Sequence, residues 1–452
     1  MTGHIAIQAI LTVIAIVTAG LHCPFAFTAD VSIERSEGGV YRLLRNGEPF
    51  VIRGAGGGDH LDVLADCGGN SIPTWSADAA EQAESSRHEG PDATPAKGRS
   101  LLDRAHARGL AVTVGLWLGH ERHGFDYSDD RQLARQREEV LAAVQRLAGH
   151  PAVLLWGLGN EMEGPEGVGD DPRIWREVGR LAVLVKEADP SHPVMTVVAN
   201  VNDRKLAAIR EHAPAIDILG VNAYSGAAGI GGILRGAGWA KPYCITEFGL
   251  PGPWESQQTE WNAPIEPSSR EKAGLSYVAH QSIMEDAGRC LGSYCFLWGQ
   301  KQEATRSWFG MFLESGEKTP RVDAMARAWT GRWPADRAPV LQEADVPLVG
   351  RRLEPGSIVQ VRVRYRDPED RPLAFDWEVA RESTDRRVGG DAEERPEVIE
   401  GAIESTHAAP DGTAIATVRV PTQPGAYRLF LTSRDGAGSA AIDNWPFASG
   451  TR

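Results

Sequence analysis

The sequence predicts a (β/α)8 barrel followed by a small all-β sandwich. Three observations carry this expectation. From Phe50 to Trp329, short apolar runs alternate with amphipathic stretches through eight rounds. That is the pattern of parallel strands joined by crossover helices. Several of the apolar runs end in polar tips, and in such barrels chemistry sits at the carboxyl ends of the strands. Beyond Pro339 the pattern changes: Val359, Val361, Val363 and Tyr365 alternate with Gln360, Arg362 and Arg364. Strict alternation marks half-buried antiparallel strands.

Taken in order, Val31 to Ile52 reads as a short hairpin, with Asn46-Gly47 as its turn. Phe50 to Gly54 is the first barrel strand, and Asp62 to Ala65 begins a short helix. Asn70 to Trp75 is the second strand. A Ser-, Glu- and Gly-rich stretch to Gly98 reads as a loop over the active face, and Leu101 to Arg108 as a helix. Leu110 to Leu118 is strand three. Gln132 to Leu147 has apolar residues at helical period. Ala152 to Trp156 is a continuous apolar run, as a strand covered on both faces requires, and it leads into Gly157, Gly159, Asn160 and Glu161. Arg173 to Ala188 is a helix ended by Asp189-Pro190. Val194 to Val198 is strand five, Asp203 to Glu211 a helix, and Ile216 to Val221 strand six, ending in Asn222-Ala223-Tyr224. Gly226 to Gly238 holds at most a short helix. Pro242 to Gly249 is strand seven and carries Glu247. Arg270 to Ala287 is a helix, Cys290 to Trp298 strand eight, and Arg321 to Trp329 closes the ring.

Gly331 to Pro339 is a linker. Phe375, Trp377 and Val379, then Tyr427, Leu429 and Leu431, repeat the alternation that begins at Val359. A sandwich of immunoglobulin-like type fits these strands. The charged segment Arg381 to Glu400 reads as a loop. The domain expectation is therefore a signal peptide over 1–29, a barrel over 30–330 and a sandwich over 340–452.

The chain has 452 residues, 42% hydrophobic and 24% charged, with a net charge of -14. This is ordinary globular composition, and the acidic balance argues against nucleic acid as a partner. Ile5 to Ala19 is apolar or small apart from Gln8, Thr12 and Thr18. The run has the length of a signal-peptide core and is short for a membrane span. The expected location is outside the cytoplasm, secreted or periplasmic, with an uncleaved membrane anchor as the alternative. Cys67, Cys244, Cys290 and Cys295 show no metal spacing. No metal and no cofactor are expected, and at most one disulfide. The sequence does not determine the oligomeric state.

Glu161 and Glu247 stand at the tips of two apolar strands. A retaining glycosidase needs such a pair, one carboxyl as acid/base and one as nucleophile, about 5–5.5 Å apart. Strands four and seven lie nearly opposite in an eight-strand ring, so the two side chains can meet over its centre.

Trp156-Gly157-Leu158-Gly159-Asn160-Glu161 and Ile245-Thr246-Glu247-Phe248-Gly249 resemble the strand-four and strand-seven signatures of glycoside hydrolase clan A, retaining (β/α)8-barrel enzymes. The family 2 catalytic domain is the nearest in character, over Gly47 to Trp329. The resemblance implies Glu161 as acid/base, Glu247 as nucleophile, and Asn160 on the sugar 2-hydroxyl. It also implies Tyr224 as hydrogen-bond donor to the nucleophile and Trp298 as the aromatic platform under the sugar. Arg53 matches the Arg-Gly that ends strand one in family 2, and Arg53 and His120 are candidate substrate or nucleophile contacts. Trp75 and Trp117, with Trp254 and Trp261, are candidates for stacking on apolar sugar faces. Gln300 and Gln302 are candidate hydroxyl contacts.

Family 2 enzymes usually carry a jelly roll and a sandwich before the barrel, and here about 20 residues precede it after the signal. The arrangement also resembles family 5 endoglucanases and mannanases and β-glucan transglycosylases. The expected activity is a retaining hydrolase or transglycosylase on β-linked glycans of β-glucan or mannan type. The rival enzyme reading is an exo-acting β-glycosidase, and the rival of another class a non-catalytic carbohydrate-binding barrel. A Ser-His-Asp hydrolase is disfavoured because no G-x-S-x-G elbow occurs.

Overall fold

The computed structural model of the protein describes residues 29–83, 99–163, 167–387 and 390–450. The expected signal peptide, apart from Ala29, lies outside the described residues, as does most of the polar stretch before Gly98.

The chain opens with an antiparallel sheet of β1 (Val31–Arg35), β2 (Tyr41–Arg45) and β3 (Glu48–Pro49), turned at Asn46 and Gly47. Eight parallel strands then close a ring: β4 (Ile52–Ala55), β5 (Ser71–Pro73), β6 (Ala111–Leu116), β7 (Val153–Asn160), β8 (Val194–Ala199), β9 (Ile218–Asn222), β10 (Tyr243–Phe248) and β11 (Cys290–Cys295). β11 pairs with β4 and closes it.

The helices are α1 (Leu61–Asp66), α2 (Ala77–Glu81), α3 (Leu101–His106), α4 (Asp130–Leu147), α5 (Pro172–Ala188), α6 (Asp203–His212), α7 (Ile230–Gly236), α8 (Ser269–Met284) and α9 (Pro320–Thr330). α2 falls in the stretch read from sequence as loop. It is one short turn capped by the Ser76 hydroxyl, too brief to show a period. α5 shows why these segments fold locally. Asp171 caps the Arg173 N–H, Pro172 sits at its first position, and Ile174, Trp175, Val178, Leu181, Ala182 and Val185 make one buried face. That face packs in the large core between strands and helices.

A second core fills the ring. Leu154, Leu155, Met195, Ile218, Cys244 and Tyr294 meet inside it. The Tyr294 hydroxyl bonds Ser71 Oγ at 2.9 Å and Thr113 Oγ1 at 2.6 Å, so its buried polar atom is satisfied. Gly54 is required opposite it, because a Cβ there would lie 2.1 Å from the Tyr294 ring. The four cysteines Cys67, Cys244, Cys290 and Cys295 are free and buried. They pack as small apolar residues, and the disulfide allowed from sequence is not formed.

The C-terminal strands make two four-stranded sheets. One is β12 (Val340–Asp345), β14 (Ile358–Arg366), β17 (Thr413–Arg419) and β16 (Ile403–Ala408). The other is β13 (Arg352–Leu353), β19 (Ala440–Ser449), β18 (Gly425–Arg434) and β15 (Ala374–Arg381). Val361, Val363 and Tyr365 of one and Tyr427, Leu429 and Leu431 of the other share a single core. This is the arrangement that alternation demands.

These sheets are keyed to the barrel beside α8. Ser269 N–H and Oγ donate to Asp443 at 2.5 and 2.8 Å. Asn444 Nδ2 donates to Glu266 at 2.7 Å, Glu266 pairs with Lys272, and Arg428 donates to Glu382 at 2.9 Å and to the Pro264 carbonyl at 2.8 Å. Burying so many charges is tolerable only because each is paired or, as with Asp443, hydrogen-bonded.

Candidate active site

The site is built where the fourth, sixth and seventh barrel strands end. Glu247 lies in β10 and is buried. Its carboxylate accepts Tyr224 O–H at 2.6 Å and Trp75 Nε1–H at 3.3 Å. Burial, then the charge of Glu161, push its pKa up from 4.5 to about 8, and the Tyr224 and Trp75 donors pull against that rise. Burial and the charge of Glu161 thus hold a proton on Glu247 through neutral pH.

Glu161 follows β7 directly, with φ of 54°. A left-handed glutamate is uncommon and marks a backbone held by its surroundings. Its Oε1 accepts Asn222 Nδ2–H at 2.9 Å, and the same amide donates to Asn160 Oδ1 at 3.1 Å. Asn222 Oδ1 in turn accepts the Thr246 hydroxyl at 2.7 Å, one residue before Glu247. A single buried amide therefore ties the tips of strands four, six and seven together.

Behind Glu161 stands a buried ion pair. Glu163 Oε1 accepts Lys205 Nζ at 2.9 Å and the Ala199 N–H at 2.5 Å. Lys205 also donates to the Ala199 and Asn200 carbonyls at 2.7 and 3.1 Å. The loops after strands four and five are thereby locked to each other.

His120 is buried beside the acid. With Tyr127, Met162 and Glu161 it lines a cavity of about 20 Å3, roughly the room one water needs. Burial and the neighbouring Arg122 and His123 lower its pKa to about 4, against Asp391 and a hydrogen bond to the Asn160 backbone. It is neutral at pH 7. Trp117 packs on it at 4.8 Å with one face exposed.

Two residues read from the sequence as site residues lie elsewhere. Trp298 is fully buried, packed against Phe312 and Trp329, with its N–H on the His60 carbonyl at 3.2 Å. It offers no face to a sugar. The chain turns inward after β11, and Phe296 reaches the site instead. Phe296 packs edge-on against Trp75 and Tyr224 at 6.3 and 6.0 Å. Arg53 is exposed on the outside of the ring, where its charge acts on His280 of α8. Strand period 2 decides this, since Gly54 next to it faces the interior.

The other candidates divide similarly. Trp254 is 62% exposed and meets Tyr224 edge-on at 5.7 Å, at the mouth. Trp261 lies under Arg352 of β13, away from the pair. Gln302 is buried with no partner for its Nε2 among the described residues. Glu303, next to it, was not read from the sequence. It pairs with Lys301 at 2.9 Å, and its charge bears on both Glu247 and Tyr224. Asn222 and Phe296 were also missed as site residues. Asn222 carried the same signal as Glu161, a polar side chain at the end of an apolar strand. No group of His, Cys, Asp or Glu among the described residues has the arrangement to hold a metal.

Fold and site together define a (β/α)8 barrel with two interacting glutamates at its mouth. Residues 98–231 match the family model for glycosyl hydrolases family 2, TIM barrel domain. The stretch includes Asn160, Glu161 and Tyr224; Glu247 lies beyond it. The family resemblance read from the sequence is thus matched in an independent comparison over the stretch that holds strand four. No curated protein matches the sequence.

Among solved structures, the β-D-glucuronidase of Dictyoglomus thermophilum is 17% identical with a TM-score of 0.48, covering 68% of this chain and 54% of its own. A family 2 member from Bacteroides cellulosilyticus is 15% identical with a TM-score of 0.44, covering 92% and 64%. The endo-1,4-β-mannanase of Eisenia fetida is 18% identical with a TM-score of 0.38, covering 59% and 90%. The chain spans less than two thirds of the first two.

Proposed function

We propose that the protein is a retaining glycoside hydrolase acting on β-linked glycans. One observation carries the reading: buried Glu247 receives Tyr224 O–H and Trp75 N–H while standing within electrostatic reach of Glu161. A buried carboxyl held by two donors and acted on by a second carboxyl at a barrel mouth is suited to double displacement. Glu247 attacks the anomeric carbon as Glu161 gives its proton to the leaving oxygen. Glu161 then takes a proton from water, which attacks the same carbon and releases the sugar from Glu247. Donors on Glu247 stabilise the anion that attacks. Asn160 beside the acid is the group we assign to the sugar 2-hydroxyl, and buried Asn222 holds it through Nδ2.

The match to the family 2 barrel supports the same class. Mannan and β-glucan remain the substrate types to which the reading extends, with a sugar in place of water as the alternative acceptor. With it goes the domain reading, a barrel over 30–330 and an immunoglobulin-like sandwich over 340–452. The apolar run Ile5 to Ala19 supports export through a cleaved signal. No helix among the described residues is long and apolar enough to cross a membrane.

The test is chemical rescue. Glu247→Ala should abolish turnover of aryl β-glycosides. Glu161→Ala should keep substrates with good leaving groups, which need little protonation, and lose those with poor ones. Azide should restore it and give a β-glycosyl azide. Wild-type rates for Glu161→Ala on an unactivated glycan would defeat the assignment.

A further inference from the structure

The glycosidic bond must lie between Glu161 on strand four and Glu247 on strand seven. A glycan chain therefore crosses the mouth transverse to the line joining them. One end leaves over the loops of strands five and six, the other over those of strands eight, one, two and three. The second exit carries Trp75, whose N–H reaches the nucleophile, with Phe296 packed against it. The glycone, the sugar that Glu247 attacks, belongs on that side.

That exit is crossed by a piece of the C-terminal sheets. The connection between β15 and β16 leaves the sandwich and reaches the barrel mouth at two separated places. At the strand-eight loop, Glu393 accepts the Ala304 N–H at 2.7 Å, and Lys301 Nζ donates to the Gly390 carbonyl at 2.7 Å. At the strand-three loop, Asp391 meets His123 Nε2 at 3.4 Å. The connection is anchored at its base by Glu382, held by the buried Arg428 at 2.9 Å. The Glu394 N–H donates to Asp385 at 3.0 Å and ties its two arms together. Ala304 adjoins Glu303, whose charge acts on Glu247, so the crossing lies close to the pair.

We infer that the segment 390–395, carried by the C-terminal sheets, is the end wall of the substrate groove and makes the enzyme cut short units from the non-reducing end of a glycan. The inference rests on the hydrolase reading above. The wall explains why a barrel of this kind keeps a sandwich welded to it by buried charges: a wall must be rigid to count sugar units. It assigns a role in specificity to residues far in sequence from either catalytic glutamate.

The test uses β-1,4-linked gluco- and manno-oligosaccharides labelled at the reducing end, with products sized at early times. The wild type should shorten the labelled chain by one fixed step at a time. Two variants open the wall: the pair Asp391→Ala with Glu393→Ala, and a Gly-Ser replacement of 390–395 of equal length. Each should raise the ratio of internal to terminal cleavage about tenfold or more. The double variant His123→Cys with Asp391→Cys should cross-link with a short bis-thiol reagent, which fixes the position of the wall whatever the activity. Mixed-length labelled products from the wild type, an unmoved ratio in both variants, or no cross-link overturns the wall alone. No turnover by the wild type on any aryl glycoside overturns the hydrolase reading, and the wall with it.

Discussion

Replacing Glu247 by Gln should make the protein more stable, and more so as pH rises. The carboxyl has a pKa of about 8 in the fold against 4.5 as an ordinary side chain. A raised acid favours the protonated form when folded. Its contribution therefore turns unfavourable above pH 4.5, worsens steadily, and levels off above about 8. Linkage puts the penalty at about 1 kcal/mol at pH 5 and about 3 kcal/mol at pH 7. Gln is neutral at both values and carries none of it. Gln keeps one acceptor for Tyr224 but turns an N–H₂ toward one of the two donors, at a cost of about 1–3 kcal/mol that does not vary with pH. The diagnostic quantity is therefore the difference between pH values, about 2–3 kcal/mol in favour of the variant at pH 7 relative to pH 5. Urea unfolding of both proteins at the two pH values measures it directly. A variant whose advantage is the same at both, or shrinks toward pH 7, would show that Glu247 is not held protonated by burial and by Glu161.

Two further outcomes separate packing from chemistry. Trp298→Ala empties a fully buried site between Phe312 and Trp329 and should lower stability by about 3–5 kcal/mol. KM at permissive temperature should barely change, whereas a platform under the sugar would raise it steeply. Lys205→Met strands Glu163 as a buried carboxyl with its cation removed and should lose about 3–5 kcal/mol in urea unfolding at pH 7. Much of that loss should return at low pH, where Glu163 takes a proton, and a loss independent of pH would contradict the ion-pair account.

Much of the fold was legible because two periodicities were clean. Ala152 to Trp156 and Pro242 to Gly249 are runs too apolar for a strand with a wet face, and both proved central in the ring. Strands in the sandwich alternated as Val361, Val363 and Tyr365 do, and these side chains are buried as read. The legible part of the site was its carboxylates, since an acid at the end of an apolar strand is costly without a task. Aromatic residues were less legible because a tryptophan is equally at home in a core. Trp298 and Phe296 lie close in sequence on one turning chain, and only the path of the backbone decides which reaches the mouth. Arg53 failed for a similar reason: strand ends vary by a residue or two, and one residue moves a side chain to the other face. Glu303 and the segment 390–395 come from loops or from distant sequence, where no local period exists to place them, whereas Asn222 ends β9 and carried the same signal as Glu161.

The proton held at Glu247 sets up a last prediction. Two arrangements have the same net charge: proton on Glu247, or proton on Glu161. Only the second can react, because Glu247 must attack as an anion while Glu161 gives its proton away. Burial of Glu247 favours the first arrangement, and the donors on Glu247 favour the second. Tyr224 O–H at 2.6 Å and Trp75 N–H at 3.3 Å both favour charge on Glu247. A hydrogen bond to a charged group contributes about 1.5–3 kcal/mol. Tyr224→Phe should therefore cut the reactive arrangement, and with it kcat/KM at neutral pH, by about ten- to a hundredfold. The alkaline limb should move the other way. Wild-type activity should fall above about pH 8, where the pair loses its remaining proton. Without Tyr224 the pair holds that proton more tightly, so the limb shifts to higher pH. Trp75→Phe should do the same more weakly, its bond being longer. A pH profile of kcat/KM for the three proteins decides the matter. Equal losses with an unmoved limb would mean that Tyr224 shapes the pocket without choosing where the proton sits.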